Sequence, residues 1–572
     1  LDWSSPFNGG YHTKRIDTIP LIKTRNREYL EEMKNHHMPL EYGAVNALQR
    51  TRWSVNVPVL EVMQRCWETG ESWAKLPPRE DYKVLPSPIK GKKKDMTPEE
   101  LDTFIKWKKK AMTVHDMNAK MTSKRIQLVR TMAMARKFRQ YKDIYFVYQC
   151  DFRGRKYTVN SFLTPQGPDY AKSLLKFSKK FPINNKEQRD YFAVHGANSF
   201  GFDKVSSQER VEWALENTDN IINSAKQPLN FRWWTNADEP WTFLAWCFEW
   251  ANFSKEGYGF DSQLPICLDG SNNGLQHFSA MLRDTIGGKA TNLTPEKIPQ
   301  DIYQMVADVV TEKVKEDAKH GLPYSKEWLS FGIDRKITKR PVMVVPYGGT
   351  RFSCRAYVED AINDKILSNQ NVNPFGEHIY EASLYVGKHV WDAIGEVVIK
   401  SREAMAWLQQ IGRAMSEKNL PIIWETPSGF VVQQIYKSMR SRRITTHIDN
   451  VLIKPSVLEE TENIDKRRSI NGVSPNFVHS MDATALTLTI NRCLKDGIND
   501  FSVVHDSYGV HAHFVPRMAD AIRTSFVDMY SEIDVLNDFY DNVNDVIPDL
   551  EPPPSRGDLD IKGVLDSEYF FS

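Results

Sequence analysis

Leu264-Pro-Ile-Cys-Leu-Asp269-Gly270, continued by Ser-Asn-Asn-Gly274-Leu275-Gln-His277-Phe278, changes its periodicity at one carboxylate. Up to Asp269 the stretch reads as an apolar strand. Gly270 opens a turn, and Leu275, Phe278 and Leu282 then recur on one face of a helix. A carboxylate at a strand end is well placed to hold a divalent metal, although an Asp at such a junction more commonly caps the next helix. Phe501-Ser-Val-Val-His505-Asp506-Ser-Tyr-Gly509 offers a second carboxylate. Phe501–His513 reads as a hairpin with His505 and Asp506 at its turn, and alone this is ordinary turn chemistry. The pair says more. Two carboxylates at the ends of adjacent strands can hold two Mg²⁺ ions roughly 3.5–4 Å apart, one to activate a 3′-hydroxyl and one to stabilise a leaving pyrophosphate. Mg²⁺ takes hard oxygen ligands and shares them with substrate phosphates.

A third segment supplies positive charge. Arg335-Lys-Ile-Thr-Lys339-Arg340 runs into Pro341-Val-Met-Val-Val345 and Pro346-Tyr347-Gly348. At 100° per residue, Lys339 lies about 40° from Arg335 and Tyr347 about 120° from it, so one side of a helix can carry all three. Such a face can grip a triphosphate, with Tyr347 nearer the sugar and base. The plainer reading is a solvated basic helix, but the apolar Val342–Val345 run requires one buried face. Pro341 and Pro346 each remove a backbone donor, so the helix should kink or break there.

The chain has 572 residues, which suggests roughly three or four domains. It is 41% hydrophobic and 26% charged, which excludes wholesale disorder. No apolar run approaches the ~20 residues of a membrane span, and no secretory leader is visible. Six separated cysteines without a CxxC suit a reducing compartment. The net charge of +2 hides a segregation: Lys90–Lys142 holds sixteen Lys/Arg against five Asp/Glu, so the remainder is acidic. Phe104, Trp107 and Met112 recur among these lysines, which suggests a long amphipathic helix facing a polyanion.

Leu1–Pro58 turns helical from about Ala44. Val59–Tyr141 reads as helices broken at Pro77, Pro78, Pro86 and Pro88. Ile144–Tyr148 is strand-like, and Pro299–Glu417 is helical with a connection at Asp360–Pro374. Ile422–Lys454 reads as strands around the turn Thr426–Gly429. Pro475–Cys493 reads as a helix with Ser474 as N-cap. His195, His277 and His505 have no metal-ligand spacing around them, and Trp246 and Trp250, four apart, read as core.

Asp269-Gly-Ser…Gln-His-Phe, Arg335…Lys339…Tyr347-Gly348 and His505-Asp506-Ser507 occur in the order of polymerase motifs A, B and C. Together they resemble the single-subunit DNA-dependent RNA polymerases of T7-like bacteriophages, with mitochondrial enzymes as cousins. Asp151-Phe-Arg-Gly-Arg155-Lys-Tyr157, His195-Gly-Ala-Asn198, Asp203-Lys204, Ser474–Ser480 and the aromatic terminus Tyr569-Phe-Phe-Ser572 match as well. The resemblance implies an α+β, mainly helical right-hand fold. The expected parts are a remnant of the N-terminal domain at 1–58, a thumb at 59–141, and a palm with a small antiparallel sheet at 142–297. Fingers at 298–479 and a second palm segment with a C-terminal foot at 480–572 complete it. Most of the family's N-terminal domain is not expected in this sequence.

The resemblance also implies roles. Asp269 and Asp506 match the catalytic metal-binding aspartates, with the Gly270 carbonyl as an added ligand of two Mg²⁺ ions. Lys339 matches the lysine on the nucleotide phosphates, and an acid for the leaving pyrophosphate. Arg335 matches the arginine of the phosphate tail, Tyr347 the tyrosine at the ribose 2′-position, and His479 a histidine near the same hydroxyl. Arg155 and Lys204 match residues lining the cleft. Arg440, Arg442 and Arg443 lie in a hairpin, 435–454, placed like the family's promoter-reading loop. The implied partners are double-stranded DNA with its promoter, nascent RNA and NTPs, but no membrane. There is room for a separate N-terminal fragment or accessory chain, and the implied location is the cytoplasm of an infected bacterial host. Related DNA polymerases place a Glu at the position of Gly274, where it blocks a 2′-hydroxyl; glycine there favours ribonucleotides, as does Ser507 after the motif C aspartate. Two other readings stay open: a DNA polymerase, and a non-catalytic nucleic-acid-binding protein on a polymerase scaffold.

Overall fold

The computed structural model describes residues 1–572 apart from 14–18, 71, 92, 369–371, 450 and 549. Asp269 and Asp506 both belong to a three-stranded antiparallel sheet and its turn. Pro265–Asp269 pairs with Ser507–His511, which pairs with Ser502–Val504. Ile266 and Leu268 are buried and face Val510 and Tyr508 in the register. The register sets Asp269 opposite Ser507, and so beside Asp506. Gly509 is required by packing, because a Cβ there would lie 2.7 Å from the Cys267 sulfur.

Helices surround this sheet. The helix Lys466–Lys495 is buried along most of its length and packs against Pro39–Arg50, Ile399–Glu417 and Val515–Glu532. The other sheets are small and antiparallel, except for Ile22–Lys23, which runs parallel to Tyr148–Asp151. This is the mainly helical α+β architecture expected from the sequence. Trp246 and Trp250 are core residues, with ring centroids 4.9 Å apart. No disulfide joins Cys150, Cys247, Cys267, Cys354 and Cys493 among the described residues. Among the described residues, no helix is long and apolar enough to cross a membrane.

The basic segment forms one 41-residue helix, Pro98–Phe138, started by a Thr97–Glu100 capping box. Phe104 and Trp107 pack together at 5.5 Å, and the Trp107 indole donates to the Leu85 carbonyl (2.8 Å). Met112 is exposed, so the apolar stripe is shorter than the spacing suggested. Only Leu128, Thr131, Met132 and Ala135 are buried, all near the C-terminal end.

Five boundaries differ from the sequence reading. The helix at Pro475 begins at Lys466, where the Asp465 side chain accepts from the Arg468 N–H (3.0 Å), so Ser474 is not its cap. Pro475 leaves the Asn471 carbonyl without its helical donor, and that oxygen sits against Gly348 (φ +81°), so a proline is accommodated mid-helix. The connection expected at Asp360–Pro374 is mostly helix, because Arg351–Ser368 continues and buries Val358 and Ile362; 369–371 lie outside the described residues. The hairpin expected at 435–454 is longer: Lys437–Arg443 pairs with Ser456–Ile464, and Thr446–Ile448 pairs with Val451–Ile453 at its tip. Its charged, exposed faces lack the alternation that marks a strand. The strand expected from Ile144 begins at Tyr148, and Ile144 makes only a bridge to Trp53. The first long helix starts at Pro39, not Ala44.

One buried ion pair joins several of these parts. Lys156 is fully buried and donates to Glu41 (2.7 Å) and to the Thr487 hydroxyl. Glu41 also accepts from the Ser428 hydroxyl (2.6 Å). Removing one partner leaves an uncompensated charge. Glu41→Ala is therefore expected to lower stability by about 3–5 kcal/mol, measured by chemical denaturation. A loss below about 1 kcal/mol would contradict this pairing, since that is the range of exposed pairs.

Candidate active site

Asp269 ends its strand without capping the next helix. The N-cap of Asn273–Met281 is Asn272, in a left-handed conformation (φ +61°), and no side chain caps that end. The Asp269 carboxylate is thus left facing the cleft. The Gly270 N–H donates to the Asp506 carbonyl (3.3 Å), which ties the two motifs together across the sheet. Asp506 follows His505, which holds φ +56° without being glycine. Such a residue in a tight turn carries strain, and strain of this kind concentrates at functional sites. The His505 ring packs edge-on against Tyr157 (4.9 Å).

Neither aspartate has an ion-pair partner among the described residues. Burial pushes the Asp506 carboxyl up to about 6, helped by the nearby charges of Asp482 and Asp269. Asp269 is also raised, chiefly by desolvation within the cleft, and the Ser507 hydroxyl and Lys172 oppose the shift. Neither carboxylate is neutralised by an ion pair, and the raised values mark carboxylates crowded together, which suits a divalent cation between them. The Gly270 carbonyl accepts from the Asn272 N–H (3.2 Å), leaving one lone pair for a ligand. No group of three or more His, Cys, Asp or Glu able to hold a metal occurs among the described residues. The donor set is therefore two carboxylates and a carbonyl, which fits Mg²⁺ sharing substrate phosphates better than a closed protein cage.

A cavity of about 260 Å³ opens beside Asp269 and Gly270 and is also lined by Lys204, Arg335 and Lys339. Arg335 and Lys339 lie one turn apart on the helix Arg335–Val344, which buries Ile337, Thr338, Pro341 and Val342. Arg335 donates to Asp301 (2.6 Å), and its guanidinium lies 5.2 Å from the centre of the Tyr303 ring. Lys204 pairs with Asp203 (2.7 Å). Lys339 has no ion-pair partner among the described residues. Desolvation lowers its pKa, with Arg335 and Lys204 adding repulsion.

The helix runs through Pro341 to Val344 and then tightens into a 3₁₀ turn, Val345–Tyr347, at Pro346. This turn brings the Tyr347 ring to 4.6 Å from His479. The Arg153 guanidinium donates to His479 Nδ1 (2.6 Å). Arginine can only donate, so Nδ1 must accept and Nε2 carries the proton. Burial, Arg155 and Arg153 push the His479 pKa down to about 2, so the ring is neutral.

Gly274 corrects a detail of the sequence reading. A Cβ there would lie 3.0 Å from Pro346 and 3.1 Å from the Tyr347 hydroxyl. The space that glycine leaves is thus occupied by the end of the motif B segment, which it allows to approach.

Arg155 is not a free cation. Its Nε donates to both oxygens of Asp482 (3.0 and 3.2 Å), and Nη2 adds a further bond to the same carboxylate. Arg440, Arg442 and Arg443 are exposed on the hairpin, away from the cavity lining. Arg440 and Arg442 share Glu459 at 3.8 and 3.4 Å. Sequence reasoning missed Asp482, Asp301 and Arg153. Asp482 lies three residues beyond His479 on the same helix, which was the available signal. Asp301 sits at a helix start, where its carboxylate also accepts from the Tyr303 N–H (3.0 Å).

A model of the DNA-dependent RNA polymerase family matches residues 183–550. T7 RNA polymerase of Escherichia phage T7 is 34% identical over the whole chain and 69% of its own length. The DNA-directed RNA polymerase of Enterobacteria phage T3 is 33% identical over the same shares. DNA-directed RNA polymerase 1, mitochondrial, of Nicotiana sylvestris is 31% identical over 96% of the chain and 54% of its own length.

Proposed function

The chain belongs to the DNA-dependent RNA polymerase family, and from that premise we propose that it makes RNA on a DNA template through Asp269 and Asp506 in phage transcription. The observation that carries this reading is the placing of two carboxylates, neither with an ion-pair partner among the described residues, beside a cavity lined by cations. It disfavours a scaffold that has lost its activity.

Asp269, Asp506 and the Gly270 carbonyl would hold two Mg²⁺ ions, whose bound chemistry would be to lower the pKa of the RNA 3′-hydroxyl and to offset charge on the leaving pyrophosphate. Arg335, fixed by Asp301 and Tyr303, orients the triphosphate. Lys339 balances its charge and gives a proton to the departing pyrophosphate. Asp482 and Arg155 form an ion pair whose charges both reach Asp506, which supports positioning by Arg155 more than substrate contact. Tyr347 and the Nε2–H of His479 read the ribose 2′-hydroxyl, which both donates and accepts. The helix Pro98–Phe138 serves as the thumb and holds the template–RNA hybrid by its phosphates, without reading sequence. The Lys437–Ile464 hairpin presents Arg440, Arg442 and Arg443 to the promoter.

Tyr347→Phe tests the sugar-reading role. In extension of an RNA primer on a DNA template, NTP use should stay nearly unchanged. Use of dNTPs relative to NTPs should rise roughly tenfold, the scale of one hydrogen bond. An unchanged ratio would remove Tyr347 from sugar selection.

A further inference from the structure

Lys156 and Arg210 are the two buried lysines or arginines among the described residues, each 1% exposed. They are treated differently. Lys156 has Glu41, whereas Arg210 has no carboxylate within ion-pair distance among the described residues. Its Nε donates to the Val205 carbonyl and its Nη1 to Asn198, both at 3.1 Å, while Nη2 has no hydrogen-bond partner. Asp203 and Glu568 act on it only at longer range. A buried guanidinium with a free donor and no counter-charge is costly, and proteins seldom leave one so without use.

Arg210 lines the same cavity as Asp269, Arg335 and Lys339. Two other cations of that cavity already have acidic partners: Arg335 has Asp301, and Lys204 has Asp203. Lys339 and Arg210 are left unpaired among the described residues. Arg210 comes from the helix Ser207–Glu216, far in sequence from the Arg335–Val344 helix. Two unpaired cations from separate elements suit a ligand with several negative oxygens.

We propose that Arg210 is a binding residue for the pyrophosphate end of the nucleotide, its Nη2 donor satisfied when pyrophosphate enters the cavity. The assignment rests on the reading of this cavity as the nucleotide site. It explains why the cation is buried and unpaired: its counter-ion is the substrate. Arg210 is held by Val205 and Asn198, so the guanidinium is already oriented and loses little freedom on binding.

The test uses the full chain, inorganic pyrophosphate with Mg²⁺, and the variants Arg210→Gln and Arg210→Lys. Thermal unfolding is followed with and without pyrophosphate. Pyrophosphorolytic shortening of an RNA primer on DNA gives separate KM values for pyrophosphate and for the scaffold. In Arg210→Gln, the KM for pyrophosphate should rise roughly tenfold or more, as for loss of a charged hydrogen bond, with the scaffold KM within about twofold. Without pyrophosphate its Tm should not fall, because an unpaired buried charge has been removed. Its Tm rise with pyrophosphate should shrink, and Arg210→Lys should lie between wild type and Arg210→Gln.

A folded Arg210→Gln with an unchanged KM for pyrophosphate would overturn the assignment. So would a lowered Tm with both KM values shifting together, or failure of both variants to fold, since each marks a structural brace. A wild type that is stabilised by pyrophosphate but neither extends nor shortens a primer would refute the catalytic reading alone. Loss of that stabilisation in Arg210→Gln would still support the binding role.

Discussion

Asp506→Asn is expected to lower RNA synthesis by on the order of 10³-fold or more, with affinity for an RNA-primed DNA scaffold within about twofold of wild type. The substitution keeps the size of the side chain and removes one of the two charges facing the cleft. It should not unfold the protein. Asp506 titrates at about 6 in the folded chain, against an ordinary 3.8. A carboxyl raised in this way favours the folded state fully below pH 3.8, and that advantage is lost as pH rises toward 6. At neutral pH the native aspartate is therefore a burden on stability, so the asparagine variant should be at least as stable. Primer extension, scaffold binding and thermal unfolding measured on the same preparation separate these effects. A parallel loss of binding and synthesis would remove Asp506 from the chemistry.

Lys339→Met is expected to lower kcat/KM for NTPs by on the order of 10²–10³, the scale for deleting one preorganised charge at a reacting group. The methionine keeps the length of the stem, so packing of the helix Arg335–Val344 should survive. Lys339→Arg separates charge from acidity. It should recover much of the NTP KM and less of kcat, because arginine does not release a proton near neutrality. Lys339 is a stronger acid than an ordinary lysine, since desolvation, Arg335 and Lys204 all disfavour its charged form. The rate should fall as pH rises through that lowered pKa, and the fall should be absent in Lys339→Arg. The same alkaline limb in both enzymes would show that another group supplies the proton.

The residues proposed to carry the chemistry are legible because each sits at a change of local pattern. Asp269 ends an apolar strand, His505 and Asp506 make a turn between two others, and Arg335 and Lys339 lie one helical turn apart. What escaped depended on tertiary contact. Nothing local marks Asp482 as the partner of Arg155, more than three hundred residues away. The helix through Pro475 was obscured because a proline is tolerated where another segment, at Gly348, meets the freed carbonyl. The hairpin reads short because Ser456–Ile464 buries only Ile464, at its end, so its strand has no hydrophobic alternation to read. The position of Gly274 was noticed for its missing side chain, but what fills the space, the Tyr347 hydroxyl and Pro346, is visible only in three dimensions.

The most direct measurement is extension of a labelled RNA primer annealed to a DNA template, with Mg²⁺ present and no promoter, comparing the four NTPs with the four dNTPs. Extension with NTPs, abolished by chelating the metal, is the expected result. It would place RNA synthesis within these 572 residues. Extension with dNTPs alone, or a scaffold that binds and is never extended, would contradict the assignment of Asp269, Asp506 and Tyr347.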